Sequence, residues 1–183
     1  MALYTIISDV SRRITELLQE ELVPELIPSG EYVGLGSPAE RDNLMVGIFL
    51  YDIQESPEIK GNYMIRKGTG ALGYPPVYIN LYYMITIYIE GDIQFKSLRE
   101  EMIIGRIIRF FNDYSVILNE QNEIPVKIEF MNVNMEEKAK LWSLINTPYK
   151  VSVFYKVYPI TVDSGRIREV SRVKSVDIHV LKK

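Results

Sequence analysis

The chain has 183 residues, of which 47% are apolar, and it contains no cysteine. This length and apolar content suit one domain with its own core, residues 1–183, and the lack of cysteine excludes disulfides and thiolate metal sites. The net charge is −3. No apolar run is long enough to span a membrane, and the start of the chain has no signal-peptide pattern. Together these features predict a soluble cytoplasmic protein without nucleic-acid or membrane partners.

The charge is unevenly distributed. Residues 164–183 hold six Lys or Arg against two acids, a local charge of +4 that leaves −7 for the rest. Lysines and arginines commonly protect an exposed terminal strand from pairing with other chains. The alternative is a basic tail that docks on an acidic partner, and a nucleic-acid-binding interpretation depends on this tail alone.

The first half of the chain predicts a helix, a loop, a strand and a long arm. Apolar residues at spacings of three, four and seven make residues 3–22 an amphipathic helix, which must end near Leu22 because Pro24 follows. Residues 28–43 are rich in Pro, Ser, Gly and charge and predict a loop. Residues 44–51 are apolar on both faces and predict a short buried strand. Residues 52–74 predict an irregular arm, since long loops without periodicity tend to be functional or mobile.

The longest strand signal lies in residues 75–90. From Val77 to Ile89 every odd position is apolar, whereas the even positions are a mixture of aromatic and short polar groups with one methionine, Met84. This period of two predicts the central strand of a sheet, with one face in the core and an amphipathic second face. Pro75 and Pro76 define its start because proline cannot donate to the strand ladder.

The second half predicts two helices and three strands. Ser97 with Glu100 resembles a capping box that opens a helix running to about residue 112. Asn134, with Glu137 three residues later, predicts the start of a short helix. The inner face of this short helix is expected to comprise Ala139, Leu141, Trp142, Leu144 and Ile145. Alternation predicts strands over residues 124–133, 151–162 and 174–181. The predicted fold is therefore α+β, a single domain with a mainly antiparallel or mixed sheet of about five strands packed by about three helices.

Catalytic chemistry is not indicated. His179 is the only histidine, which leaves no Ser-His or metal-ligand constellation. The acid pairs Glu100–Glu101 and Glu136–Glu137 are assigned to the first turns of helices, where carboxylates favourably meet the helix dipole. The three glycines of residues 68–73 match a dinucleotide-binding spacing, but they precede a strand, whereas the motif requires a following helix. We therefore expect no enzyme activity, cofactor or metal. A small-molecule-binding or enzymatic α+β domain remains the alternative.

The main indication of function is surface that the domain's own core does not need. Thirteen tyrosines, several on the second face of the predicted strands, suit protein interfaces and a symmetric homo-oligomer. The arm and the basic C-terminal strand, residues 174–183, are the segments expected to reach neighbouring subunits, the strand by adding to another sheet edge. The candidate interface residues are Arg66, Lys67, Tyr78, Tyr82, Tyr88, Arg172, Lys174, Lys182 and Lys183.

Two motifs resemble one family. Pro75 and Pro76, followed by the Leu-Tyr-Tyr-Met run of residues 81–84, resemble the proline-flanked strand of the cap proteins of phage-tail-like contractile injection systems, as in the antifeeding prophage. Glu137, Lys138, Leu141, Trp142 and Leu144, followed by Tyr149 and the Ser-Val-Phe-Tyr run of residues 152–155, are similar to that family's tryptophan helix and following strand. With the first helix, the resemblance covers about residues 1–163.

The resemblance implies a tail terminator. Six copies would form a ring on the end of the inner tube and sheath, stopping polymerisation and fixing the length of the particle. It implies no cofactor and no catalysis, assembly in the cytoplasm and then a place in the contractile particle. The matched residues are mostly core positions and mark no binding site. Many such cap proteins carry a further C-terminal region that these 183 residues do not contain. A phage or tail-type bacteriocin protein is equally compatible.

Overall fold

A computed structural model describes residues 4–57, 64–66, 71–118 and 124–169, except for the side chain of Ile93. These residues form α1 (Ile6–Leu22), β1 (Val33–Leu35), β2 (Val46–Glu55), β3 (Ile65–Arg66), β4 (Ala71–Gly73), β5 (Val77–Ile87), α2 (Ile93–Asp113), β6 (Val116–Leu118), β7 (Val126–Phe130), α3 (Met135–Ile145), β8 (Ser152–Val162) and β9 (Ile167–Glu169). The predicted strand over residues 174–181 and His179 lie outside the described residues.

The main sheet has six strands in the order β1-β2-β5-β8-β7-β6. β1 pairs with β2 in parallel, and the other pairs are antiparallel. The prediction of an α+β fold with a mainly antiparallel or mixed sheet is confirmed. β5 lies between β2 and β8, as its long alternating pattern predicts for a central strand. The edge strands β1 and β6 have three residues each and were not predicted.

Helices α1 and α2 cover one face of the sheet. From Leu81 onward the odd-numbered residues of β5, among them Tyr83 and Ile85, join buried residues of both helices in one apolar core. Val77, which the alternating pattern assigned to the same face, is 50% exposed because it lies at the outer end of the strand. Ser11 of α1 and the hydroxyl of Tyr83 form a buried hydrogen bond of 2.8 Å across this interface. α1 ends at Leu22, as predicted from Pro24. No helix among the described residues has the length and apolar character needed to cross a membrane.

Helix α3 covers part of the opposite face. Met84, Trp142 and Phe154 form a second buried cluster, against which Leu141 and Ile145 pack. Asn134 caps α3 by accepting a hydrogen bond from the backbone N–H of Glu137 at 2.9 Å, which confirms the predicted helix start.

Two details of α3 and the sheet differ from the sequence-based expectations. Ala139 was assigned to the inner face of α3 but is exposed, and so was Leu144, which is 84% exposed. Leu144 lies roughly 110° around the helix axis from the stripe that packs on the sheet, since successive residues are separated by about 100°. Only the first part of β2 is buried, and the strand becomes exposed towards Glu55.

The start of α2 also differs from the prediction. The helix begins at Ile93, where the side chain of Asp92 accepts a hydrogen bond from the backbone N–H of Gln94. Ser97 and Glu100 therefore lie inside the helix and do not form its cap. Glu100 instead accepts hydrogen bonds from the backbone N–H of Ile89 and from Lys150. Its carboxylate thus has a structural role that the dipole argument did not predict.

Part of the predicted arm is ordered as strands. β2 continues to Glu55, and β3, β4 and β9 form a separate three-stranded sheet in the order β3-β4-β9, which we call the ribbon. β4 leads into β5 through residues 74–76, and β9 follows β8 after residues 163–166. The ribbon therefore continues the antiparallel β5–β8 pairing beyond the main sheet. Its strands of two or three residues are too short for a periodic signal.

Candidate functional site

Two of the predicted interface tyrosines, Tyr78 and Tyr82, lie on the α3 face of β5, and the third, Tyr88, directly follows the strand. Tyr78 pairs with Thr161 of β8 and is half-buried. Tyr82 is also half-buried, and its hydroxyl donates to the side-chain oxygen of Gln54 at 3.2 Å. The Tyr82 ring lies 6.2 Å from that of Tyr51. Burial raises the pKa of Tyr51 to about 12, with smaller contributions from nearby acidic groups. These rings form an aromatic surface beside α3.

Tyr88 is only 8% exposed. Its ring lies beneath two cations: the guanidinium carbon of Arg41 is 4.6 Å, and the Nζ of Lys150 5.1 Å, from the ring centroid. Cations over an aromatic face are attracted by the ring quadrupole. In the isolated subunit, Tyr88 therefore supports a charged surface rather than providing a large contact area itself.

The basic candidates are only partly described. Arg66 lies on β3 of the ribbon and is exposed. All residues of β3 and β9 are exposed, including Ile65 and Ile167. Lys67, Arg172, Lys174, Lys182 and Lys183 lie outside the described residues. The structure therefore does not bring the basic candidates together with the tyrosines, and the interface assignment stays a prediction.

A cleft of about 350 Å³ opens between the end of β5, the end of α3 and the loop before β2. We call this cleft the Tyr88 cleft. It is lined by Pro38, Arg41, Tyr88, Ile89, Glu90, Lys96, Trp142, Thr147, Pro148 and Lys150. This volume falls within the range of small-molecule and peptide-side-chain pockets. Sequence analysis missed the cleft because its residues come from segments that are distant in the chain.

The Tyr88 cleft has a positive balance of charge. Three cations and the acid Glu90 line it. Lys150 is already paired: its Nζ lies 2.7 Å from Glu100 and donates to the carbonyl oxygen of Ile87 at 2.9 Å. Arg41 and Lys96, in contrast, form no ion pair with any described residue. The cleft thus retains two cations without an ionic partner in the described part of the chain.

Several polar groups of the cleft are also without partners. Among the described residues, the Trp142 Nε1–H and the Thr147 hydroxyl are buried and form no hydrogen bond. The Tyr88 hydroxyl has no hydrogen-bond partner of good geometry either. Burial raises the pKa of Tyr88, and the neighbouring Thr86 hydroxyl and Arg41 charge partly offset this increase. A buried polar group without a partner costs about 1–3 kcal/mol. The indole of Trp142 and the hydroxyl of Thr147 are thus two such groups in the lining of the cleft.

The described lining of the Tyr88 cleft suits the binding of an anion. Among the described residues that line the cleft, three are cations and one, Glu90, is an acid. No group of three or more His, Cys, Asp or Glu residues in the described ranges could hold a metal ion. Indole N–H groups, hydroxyls and cations together suit an anionic, hydrogen-bond-accepting ligand.

A family model matches most of the sequence. The Pvc16 N-terminal domain model matches residues 9–175. The chain belongs to the Pvc16 N-terminal domain family. The resemblance inferred from the proline-flanked strand and the tryptophan helix is therefore confirmed. No curated protein matches the chain.

Two solved structures share the fold. The sheath/tube terminator of the extracellular contractile injection system PVC, in the extended state, is similar with a TM-score of 0.69 and 17% identity over 97% of this chain and 64% of that one. The tube-terminating cap of the anti-feeding prophage is similar with a TM-score of 0.63 and 18% identity over 94% of this chain and 61% of that one. The chain thus spans somewhat less than two thirds of the length of each relative.

Proposed function

We propose that this chain is the cap, or tail terminator, of a contractile injection particle. The observation that carries the proposal is that the Pvc16 N-terminal domain family and the fold of two such terminators both extend over nearly all of the chain. In this proposal six copies form a ring on the end of the inner tube and sheath. The ring stops polymerisation and so fixes the length of the particle, without catalysis or a cofactor. Assembly takes place in the cytoplasm, before the cap becomes part of the finished particle.

The surfaces of the subunit are compatible with this function. A terminator needs one face that mates with the last ring of the polymer and another that does not repeat it, because a repeating contact would let the polymer continue. The ribbon offers exposed strand edges at β3 and β9, and such edges pair readily with strands of other chains. We place contacts to neighbouring subunits or to the sheath at the ribbon and at residues 174–183.

The first test is the solution mass of the purified protein by light scattering, together with negative-stain images. A particle near six times the 21.2 kDa subunit mass, seen as rings, supports a preformed cap. If the purified protein is a monomer, ring formation would require the end of the tube as a template, and the test must then be made on particles. The decisive comparison is particle length with and without the gene. Uniform particles in its absence would refute a terminator role.

A second test separates attachment from folding. Deleting residues 174–183 is expected to reduce binding to sheath while leaving the thermal unfolding midpoint of the subunit nearly unchanged. Arg66→Glu should act in the same direction through the ribbon. Lys127→Glu, at an exposed position on β7, is the matched charge-reversal control. A truncated protein that still caps particles of normal length would contradict the assignment of the C-terminal segment.

A further inference from the structure

We propose that the Tyr88 cleft is a binding site for the carboxylate of an aspartate or glutamate side chain, presented by a peptide segment of a partner protein. This inference rests on the cleft and does not depend on the cap function. The cleft combines the cations Arg41 and Lys96, which have no ionic partner in the described part of the chain, with buried donors that also lack partners.

The donors define the chemistry of the ligand. Trp142 is 3% exposed, and an indole N–H can only donate. The Thr147 hydroxyl can donate as well, and Arg41 and Lys96 add positive charge. A carboxylate accepts up to about four hydrogen bonds and gains from each cation. Its oxygens, or water molecules that it holds, supply the partners that the described side chains lack.

The surroundings of the cleft favour a peptide over a free small anion. Pro38 and Pro148 form apolar parts of the wall. Tyr149 and Val151, which flank Lys150 in the chain, are 45% and 63% exposed. The Tyr149 ring also packs edge-on against Trp142, with centroids 5.9 Å apart. Exposed apolar groups beside a charged pocket match an acidic side chain that is flanked by apolar residues.

Trp142 provides a specific reporter because it is the only tryptophan in the chain. Its indole N–H gives one side-chain resonance in a ¹H–¹⁵N spectrum of the full-length protein. The probes are the peptide acetyl-Leu-Glu-Leu-amide, its glutamine counterpart and inorganic phosphate. We expect the glutamate peptide to move this resonance downfield in a saturable manner, and the glutamine peptide to bind at least about tenfold more weakly, since the loss of a charged acceptor costs about 1.4 kcal/mol or more.

Variants test whether the cations of the cleft are responsible. Arg41→Gln and Lys96→Gln should each weaken binding of the glutamate peptide several-fold, whereas Lys127→Gln, on the exposed side of β7, should not. Lys96→Gln keeps the test valid if Arg41→Gln fails to fold, because Lys96 does not stack on Tyr88. Equal binding of the two peptides, tighter binding of phosphate than of the peptide, or an unmoved indole resonance up to about 10 mM peptide would each overturn the proposal.

Discussion

The ion pair between Glu100 and Lys150 is expected to contribute measurably to stability. The two side chains are 19% and 25% exposed, and the pair joins α2 to the segment that leads into β8. Glu100→Gln keeps an acceptor for the backbone N–H of Ile89 and removes only the charge. Breaking a fully buried pair costs about 3–5 kcal/mol, and exposed pairs contribute about 0–1 kcal/mol. For this partly buried pair we expect a loss of about 1–2 kcal/mol.

Urea denaturation measures this loss. With an m-value of about 2 kcal/mol/M, the midpoint should fall by about 0.5–1 M at constant m. Glu136→Gln is the matched control, because its pair with Lys140 on α3 is 77% and 70% exposed and should contribute at most about 0.5 kcal/mol. Equal midpoint shifts for the two variants would show that Glu100 behaves as a surface charge and would refute the argument.

Three further predictions concern single side chains. Burial raises the pKa of Tyr83 from 10.0 to about 12, so its ionisation is harder in the folded state. This group alone should lower stability by about 2 kcal/mol between pH 10 and 12. In alkaline urea titrations Tyr83→Phe should reduce the total loss by that amount, and an unchanged loss would contradict the assignment. Asn134→Ala, which removes the α3 cap, should cost about 1 kcal/mol in urea denaturation; no loss would rule out the cap. Gly105→Ala, in an exposed part of α2 where an added Cβ meets nothing within 4 Å, should raise stability by about 0.5–1 kcal/mol, and a lower thermal midpoint would contradict this.

Long periodic elements were predictable from the sequence. α1 and β5 carry patterns of many residues, so their type and the central position of β5 agree with the structure, as do their core faces except at Val77. The strands that were missed, β1, β3, β4, β6 and β9, have two or three residues each. A period of two cannot be recognised over such a length, and their pairing depends on partners that are distant in sequence.

The start of α2 was missed for a different reason. Ser97 and Glu100 have the spacing of a capping box, but Asp92 caps the helix earlier. Glu100 forms an ion pair with Lys150 instead. Local spacing alone cannot distinguish a cap from a residue recruited by tertiary structure. The Tyr88 cleft could not be predicted at all, since Arg41 comes from a loop, Tyr88 from the end of a strand and Trp142 from a helix.

The mixed pattern on the second face of β5 acquires a physical explanation from the position of α3. The even-numbered residues Met84 and Thr86 are fully buried: Met84 packs in the α3 cluster, and Thr86 bonds Ser152 at 3.1 Å. Tyr78 and Tyr82 remain half-buried beyond this cover. Tyr88, at the other end, lines the cleft. An apolar residue and a hydrogen-bonded threonine thus occupy the part of the face that the chain covers itself, and tyrosines occupy both ends. Because tyrosine combines a large apolar ring with a polar tip, this arrangement suits the partner contacts that we propose, one on either side of α3.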